Sequence, residues 1–404
     1  MFASLAYRNF IYLLLGQTTH AAALWLDMVA RPLLVLTMTG SPVHLGLVMA
    51  TRTVPTMAFG ALAGVIADNF DRRIVLLITK LGVLVLSIIF AALVVTDLIQ
   101  LWQIYLFTFI RGITMAFDQP ARRAMIPSLV PKNLVTNAMA LSSGSIQVMR
   151  IVGAGCAGLI IALGGLELVF ITITFFYAAA VISTWVLQVP SHVRPGYQGI
   201  KRVGIDLLEG FRFAWSNDAV KSILLASMGY FTFGMTFMSV FGPLFAIQIL
   251  DIGESGFGYL MSITGIGGVI GALSLASVNP NRKRGVLILT TLTSLGIMLI
   301  LFSAVSYLDS LTLVFATAAI LGVTTSAVFP IVNAVLVESA PMGMRGRVLG
   351  LLSLDRGMTT LGGTLAGFLA AGIGPQLAQI IFGIGCIGTS IAMFKIYPAI
   401  RRID

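Results

Sequence analysis

Apolar runs long enough to cross a lipid bilayer recur along the whole chain, and they restrict the possible folds more than any other feature. A helix needs about 20 apolar residues to span roughly 30 Å of hydrocarbon. We predict twelve such spans, at 10–37, 44–67, 74–96, 100–118, 137–163, 168–188, 219–250, 256–278, 285–305, 310–337, 348–372 and 376–397. Barrel strands alternate apolar and polar residues, whereas these runs are apolar throughout. We therefore expect an all-α membrane protein with twelve transmembrane helices.

The composition supports the same fold class. Only 10% of the 404 residues are charged and 58% are hydrophobic, whereas soluble domains carry roughly 25% charged residues. The first apolar run is too long for a signal peptide and is expected to stay as the first span. Both cysteines, Cys156 and Cys386, fall within predicted spans, so we expect no disulfide framework.

The positions of the basic residues predict the orientation. Twenty of the 25 lysines and arginines lie at the termini, in even-numbered loops or at the adjoining helix ends, and the other five lie deeper within predicted spans. The positive-inside rule then predicts a multi-pass protein of the cell (plasma or inner) membrane with both termini in the cytosol. Contact with anionic membrane lipids explains the net charge of +10. No basic segment is long enough for a nucleic-acid-binding module, and we expect a monomer.

The two halves of the chain repeat each other. Gly112, Pro120, Pro131 and Ser143 recur 210 positions later, and so do the loop residues Asn69 and Arg72; the second copies are Gly322, Pro330, Pro341, Ser353, Asn279 and Arg282. Parallel repeats predict two helical bundles around a central cavity, with alternating access. We assign 1–188 and 218–404 to the six-helix bundles, and 189–217 to a cytosolic linker with an amphipathic helix.

A loop between the second and third spans carries a family resemblance. The segment from Gly64 through Asp68 to Arg72 and Arg73 resembles the loop signature of the major facilitator superfamily. Most members have a second glycine at the position of Asp71. An aspartate at this position resembles the branch of drug and siderophore exporters. Three further stretches resemble that branch: 10–17, 120–131 and 345–348.

This resemblance implies a proton-coupled secondary transporter that exports a small amphiphilic molecule. The residues assigned to its gating loops are Gly64, Asp68, Asp71, Arg72, Arg73, Arg282, Arg345 and Arg347. In the fifth helix, the exporters typically have glycine followed by proline, but here Gly153 precedes Ala154. The transport direction therefore stays open.

Asp68 is predicted at the cytosolic end of the second helix, near Arg72 and Arg73. A carboxylate there could cap a neighbouring helix N-terminus, for roughly 0.3–1 kcal/mol, and act as a latch that opens and closes. An ordinary topology signal would explain the arginines but would leave Asp68 unexplained. We favour the latch.

Charged residues within the predicted spans are the candidates for transport chemistry, since each costs about 2.5–3.5 kcal/mol to insert. They are Asp27, Arg31, Arg52, Arg111, Arg150, Asp355 and Arg356. Asp27 and Arg52 are expected at similar depth, and Arg111 is similar to the arginine in the fourth helix of the superfamily. The cluster is either a structural ion pair, or a site that binds an anionic group or exchanges protons. Asp355 either pairs with Arg356 or is a second titratable site.

Other functions lack their motifs. The sequence has no HExxH or G-x-S-x-G pattern and no phosphate-binding loop, so we expect neither an enzyme nor an ATP-driven pump, and no cofactor or metal. Translocation of a lipid or lysophospholipid is the main alternative, because arginines could hold its head group. Gly267 and Gly271 are predicted to form a helix–helix contact. Six bulky side chains either line a cavity or face lipid: Trp25, Tyr230, Phe233, Met235, Phe237 and Met238.

Overall fold

The structure is a computed structural model that describes residues 3–69, 71–188, 211–277, 284–308, 310–339 and 354–402. Within these ranges, the side chains of 60–69 and 354–356 and those of a few other helical positions lie outside the description. The regular secondary structure of the described residues is entirely helical.

Twelve helices are long enough to count as spans in the described part of the chain. One continuous helix, Val135–Val186, is divided by the non-helical Gly164 and Gly165 into α5 (135–163) and α6 (166–186); Gly165 has φ +73°, a conformation that favours glycine. The others are α1 Arg8–Thr39, α2 Pro42–Asn69, α3 Arg72–Val95, α4 Leu101–Leu129, α7 Asp218–Ile249, α8 Gly253–Ser277, α9 Arg284–Val305, α10 Leu311–Ser339, α11 Leu354–Ile373 and α12 Pro375–Ile396. The prediction of an all-α membrane protein is confirmed, and the helix count agrees with twelve spans. Eight stretches of the described residues are both long and apolar enough to cross a membrane, and one of them contains both α5 and α6.

One helix boundary differs clearly from its prediction. The fourth span was predicted to end at residue 118, whereas α4 continues to Leu129 with two prolines inside it. Asp118 and Arg122 form an ion pair one helical turn apart, with 3.3 Å between Oδ2 and Nε. Because these charges compensate each other inside the bundle, they do not mark the end of the helix.

The contacts divide the chain into two compact units. The first consists of Met1–Leu34 and Thr51–Val203, and the second of Val35–Ala50 and Gly204–Asp404. The second unit therefore includes the end of α1 and the beginning of α2. Of the predicted linker, only 211–217 is described, and 211–216 are helical.

Three π-helical segments widen α7, at Tyr230–Gly234, Phe237–Phe241 and Phe245–Ile249. Phenylalanines spaced four residues apart pack alternately on two neighbouring helices. Phe237 and Phe245 contact Phe302 of α9, with ring centroids 5.0 and 5.2 Å apart. Phe233 and Phe241 contact Phe382 of α12.

This packing decides the alternatives for two of the bulky residues of α7. Tyr230 and Phe237 are fully buried in the second unit, so neither faces lipid. The Tyr230 hydroxyl donates a hydrogen bond to the carbonyl of Thr325 in α10, at 2.8 Å. A buried tyrosine needs such a partner, and a single helix cannot reveal it.

Glycines reproduce the sequence repeat in the helix packing. A Cβ added at Gly112 in α4 would collide with the carbonyl oxygen of Arg52 in α2. A Cβ added at Gly322 in α10 would collide with the carbonyl oxygen of Thr264 in α8. In each half, a glycine at the same repeat position thus lets the fourth helix touch the backbone of the second.

The predicted contact at Gly267 and Gly271 is confirmed. An added Cβ at either position would collide with backbone of α10, at Ala319 and Val323 respectively. Such close approach is typical of small residues four apart in membrane helices.

Candidate functional site

Asp27 and Arg31 lie one turn apart on α1 and point into the first unit. Their exposed fractions are 3% and 8%. Arg31 Nη2 lies 2.6 Å from Asp27 Oδ1, and Arg31 Nε donates to both carboxylate oxygens at 3.1 Å. The guanidinium also lies 4.2 Å from the ring centroid of Phe90 in α3. This arrangement fixes the carboxylate on one side.

Arg111 of α4 completes the site on the other side of the carboxylate. It forms an ion pair with Asp27 Oδ2 and donates a hydrogen bond to the hydroxyl of Tyr177 in α6. Arg111 is 8% exposed and Tyr177 is 2% exposed. One carboxylate is therefore held between two buried guanidiniums.

The other charges predicted for this site have different surroundings. Arg52 Nη1 contacts the Sδ of Met28, and its positive charge acts on Asp27 without replacing Arg111 as the ion-pair partner. Arg150 is buried in α5, with 8% of its surface exposed. The side chains of Asp355 and Arg356 lie outside the described residues.

A small cavity lies beside the ion pair. Its volume is about 20 Å³, and its lining includes Asp27, Arg31, Arg111 and Tyr177. A single water needs roughly 10–15 Å³ measured in this way. The structure thus places a water-sized space next to the carboxylate.

A second buried charge cluster, absent from the sequence predictions, lies in the same unit. Asp118 pairs with Arg122, and Lys80 Nζ donates to Thr184 Oγ1 at 2.8 Å and to the carbonyl of Gly16 at 3.3 Å. Lys80 is only 1% exposed. The positive-inside argument assigns Lys80 and Arg122 to helix ends beside even-numbered loops, whereas the structure buries both. The seven-residue spacing from Arg111 to Asp118, which returns to the same helix face, was the available signal.

The gating loop is described in part. Asp71 is the N-cap of α3, where its Oδ1 accepts hydrogen bonds from the backbone N–H of Arg73 at 2.8 Å and of Ile74 at 3.4 Å. Arg72 Nη1 donates to the carbonyl of Ala124, and Arg73 Nη2 to that of Trp185, both at 2.7 Å. The basic pair thus binds carbonyls near the ends of α4 and α6, within the first unit.

The other members of the predicted gate lie outside the description. The position of Gly64 and the side chain of Asp68 fall in the stretch of α2 whose side chains are not described. Arg282, Arg345 and Arg347 lie outside the described residues. The latch role of Asp68 stays a prediction.

Replacing Asp71 by alanine is expected to destabilise the protein by about 0.5–2 kcal/mol, because the first turn of α3 loses its cap. Asp71→Asn should keep most of this stability, since asparagine caps as well as aspartate does. Thermal unfolding of the purified variants measures the difference. Equal losses in both variants would contradict the capping role and would favour a role for the charge.

Comparisons with known proteins identify the family. The family model described as "Transmembrane secretion effector" matches residues 1–401. The multidrug efflux pump Tap of Mycolicibacterium fortuitum is 27% identical, with 98% of this chain and 97% of that protein covered. The enterobactin exporter EntS of Shigella boydii is 26% identical, with 96% and 91% covered.

Two further proteins extend the comparison. The staphyloferrin A transporter of Staphylococcus aureus is 25% identical, with 92% of each chain covered. The crystal structure of the nucleoside transporter NupG has a TM-score of 0.68 at 16% identity, with 96% of this chain and 99% of that chain covered, which shows a common fold. The chain belongs to the transmembrane secretion effector family and is a multi-pass secondary transporter in the exporter branch of the major facilitator superfamily.

Proposed function

We propose that this chain exports a small amphiphilic molecule, drug-like or siderophore-like, across the cell membrane by alternating access in exchange for protons. The functions of its relatives, multidrug efflux and enterobactin export, support the substrate class. The observation that carries the proton coupling is the buried Asp27 between Arg31 and Arg111, beside a water-sized cavity.

The ion pairs explain how protonation of Asp27 could drive a conformational change. A proton on the carboxylate removes the negative charge that Arg31 and Arg111 share. Buried charges that lose their partner are costly, so the two arginines would favour a state in which water or substrate replaces that partner. A ligand shifts a conformational equilibrium only through such a difference in binding between states.

The excess of positive charge supports a second candidate, the translocation of a lysophospholipid. Arg31, Arg111 and the nearby Arg52 exceed the single carboxylate of Asp27. Guanidinium groups bind phosphate through charge-assisted hydrogen bonds. On this alternative, the phosphate head group rather than a proton would be the partner of the arginines.

Transport by the purified protein in liposomes separates the two candidates. We would test ethidium, a macrolide, a siderophore and a lysophospholipid, each with and without an imposed pH gradient. The proposal predicts movement of one of the first three that stops when an ionophore dissipates the gradient. Movement of the lysophospholipid alone, unaffected by the gradient, would support the alternative and contradict proton-coupled export.

The surface of the described helices supports a position in the membrane. Large apolar side chains face outward, among them Leu163, Phe175 and Leu273 with exposed fractions of 74%, 69% and 66%. In a bilayer, lipid would cover these apolar side chains and shield them from water. We propose a monomer surrounded by membrane lipids, without a nucleic-acid partner and without enzymatic activity, and with both termini in the cytosol.

Cysteine labelling is expected to place the two ends of α4 on opposite sides of the membrane. In a Cys156→Ser background, a cysteine at Asp97 should react with an impermeant reagent from outside, and one at Lys132 only from the cytosolic side, because α4 lies between them. Both positions are exposed, as is Cys156, whereas Cys386 is buried. Reaction of both sites from one side would overturn the topology, and the reverse pattern would overturn the orientation.

A further inference from the structure

Two buried charge clusters occupy successive levels of the first unit. On α1, His20 precedes Asp27 by seven residues, and on the antiparallel α4, Asp118 follows Arg111 by seven. Seven residues return to the same helix face and advance along the axis by about 10 Å. The Asp27–Arg111 pair thus forms one level, and His20 with Asp118 forms another, nearer the end where α1 begins.

The second level contains buried polar atoms that have no hydrogen-bond partner among the described residues. Asp118 is 4% exposed, and its Oδ2 faces Arg122. Its other oxygen, Oδ1, and the Nδ1 of the half-buried His20 are both buried atoms without a protein hydrogen-bond partner among the described residues. A cavity of about 10 Å³, close to the size of one water, is lined by His20, Asp118 and Arg111.

Two residues connect the levels. Arg111 pairs with Asp27 and lines both cavities. Tyr177 accepts a hydrogen bond from Arg111 and packs edge-on against the ring of His20, with centroids 5.3 Å apart. Arg111 and Tyr177 therefore form a continuous path of contacts from Asp27 to His20.

We propose that His20 and Asp118 form a second proton-binding site, bridged by one water and coupled to Asp27 through Arg111 and Tyr177. The ligand is a proton, which converts the neutral imidazole of His20 to an imidazolium beside the Asp118 carboxylate. When this proton passes to the Asp27 carboxylate, His20 becomes neutral again, so Asp27 gains the proton that His20 loses. Within the bilayer, chains of acidic residues and histidines are typical of proton relays.

Of the charges around this site, only the carboxylate of Asp118 favours a proton on His20. Lys80 from α3, together with Arg111 and Arg122 from α4, provides three cations against the carboxylate of Asp118, and Tyr177 from α6 is neutral. Asp27 lies one level away. The three cations oppose a metal ion and also an imidazolium, so protonation of His20 depends on the carboxylate of Asp118, with which the proton can be shared. This inference rests on the proposed proton-coupled function.

Histidine NMR tests the site without any substrate. The chain has only three histidines, His20, His44 and His192, so His44→Gln and His192→Gln assign the His20 signal. In the full-length protein in nanodiscs, His20 should gain a proton as the pH falls from about 8 to 4, an interval that extends below the range of about 5 to 8 in which histidine charge normally changes. The midpoint of this titration should fall by about one pH unit in Asp118→Asn, because the carboxylate that favours the imidazolium is lost. It should not move in Asp97→Asn, which alters an exposed loop carboxylate.

A His20 signal that stays neutral, or a midpoint that ignores Asp118→Asn, would overturn the second site. Lys80→Met removes a cation instead of an anion, and should move the midpoint in the opposite sense. It therefore decides the matter if Asp118→Asn does not fold.

The coupling needs a separate comparison. Asp27→Asn should move the His20 midpoint, and Tyr177→Phe, which keeps the ring but deletes the hydroxyl that holds Arg111, should remove most of this effect. An equal shift with and without the hydroxyl would show only a through-space interaction and would overturn the link. Failure of the proposed function is distinguishable: liposomes would then show no gradient-driven export while His20 still responded to Asp118→Asn.

Discussion

Replacing Asp27 by asparagine is expected to reduce gradient-driven export to the level of empty liposomes. The carboxamide has nearly the same shape, but it cannot exchange a proton near neutral pH. Substrate exchange without a gradient should stay close to wild type, because it requires the conformational change but no net proton movement. Parallel assays of the same proteoliposomes, with and without an imposed gradient, measure both quantities.

Stability separates a proton carrier from a purely structural ion pair. Asp27→Asn leaves Arg31 and Arg111 without their buried counter-charge, and a broken buried pair costs of order 3–5 kcal/mol. Adding Arg111→Gln removes one of the unpaired cations and should recover much of the thermal stability. If Asp27 carries the proton, gradient-driven export should not recover with it.

The matched controls are Asp97→Asn, which neutralises an exposed carboxylate, and Asp27→Asn combined with Arg52→Gln. The structure predicts less recovery of stability from Arg52→Gln than from Arg111→Gln, because Arg111 is the ion-pair partner. A double variant of Asp27 and Arg111 with full gradient-driven export would rule out Asp27 as the carrier. Asp118 and Asp355 would then be the carboxylates to test.

The sequence predicts the spans well because a bilayer imposes a simple length requirement on apolar helices. It also finds the repeat, since Gly112 and Gly322 are fixed by backbone contact with a neighbouring helix. Only glycine leaves enough room for such a contact. Features that depend on the membrane or on backbone contact can therefore be predicted from the sequence alone.

The ion-pair partner of Asp27 cannot be predicted from the sequence in this way. Depth along a helix places Asp27 and Arg52 at one level, but it says nothing about which face each residue occupies. The structure selects Arg111, which Tyr177 holds in position from a fourth helix. Which arginine pairs with Asp27 depends on how several helices pack against one another. The pattern of residues along a single helix does not reveal that packing.

The second charge cluster was missed for a related reason. Lys80 lies eight residues after the first residue of α3, where a basic residue in a membrane protein usually signals topology. Its burial depends on acceptors from other helices, Gly16 and Thr184. A charge near a helix end can thus belong to the interior, and only tertiary contacts distinguish the two cases.

Replacing Gly112 or Gly322 by alanine is expected to destabilise the fold by about 1–3 kcal/mol each, the usual cost of overpacking. The added methyl group would meet a backbone carbonyl, of Arg52 or of Thr264, and backbone cannot rotate away as a side chain can. Similar losses in the two variants would reflect the same helix contact in each half. Thermal unfolding of the purified proteins measures them.

Gly144→Ala is the matched control, since nothing lies within 4 Å of a Cβ added there and the residue is exposed on a helix. Alanine is the better helix former by about 1 kcal/mol, so this variant should be neutral or slightly more stable. Gly112→Ala should also displace Arg111, the adjacent residue, and lower gradient-driven export beyond its effect on stability. Gly322→Ala has no such neighbour among the described residues of the charge clusters, so it should lower stability and export together. A Gly112→Ala protein with unchanged stability would show that α2 and α4 do not approach this closely.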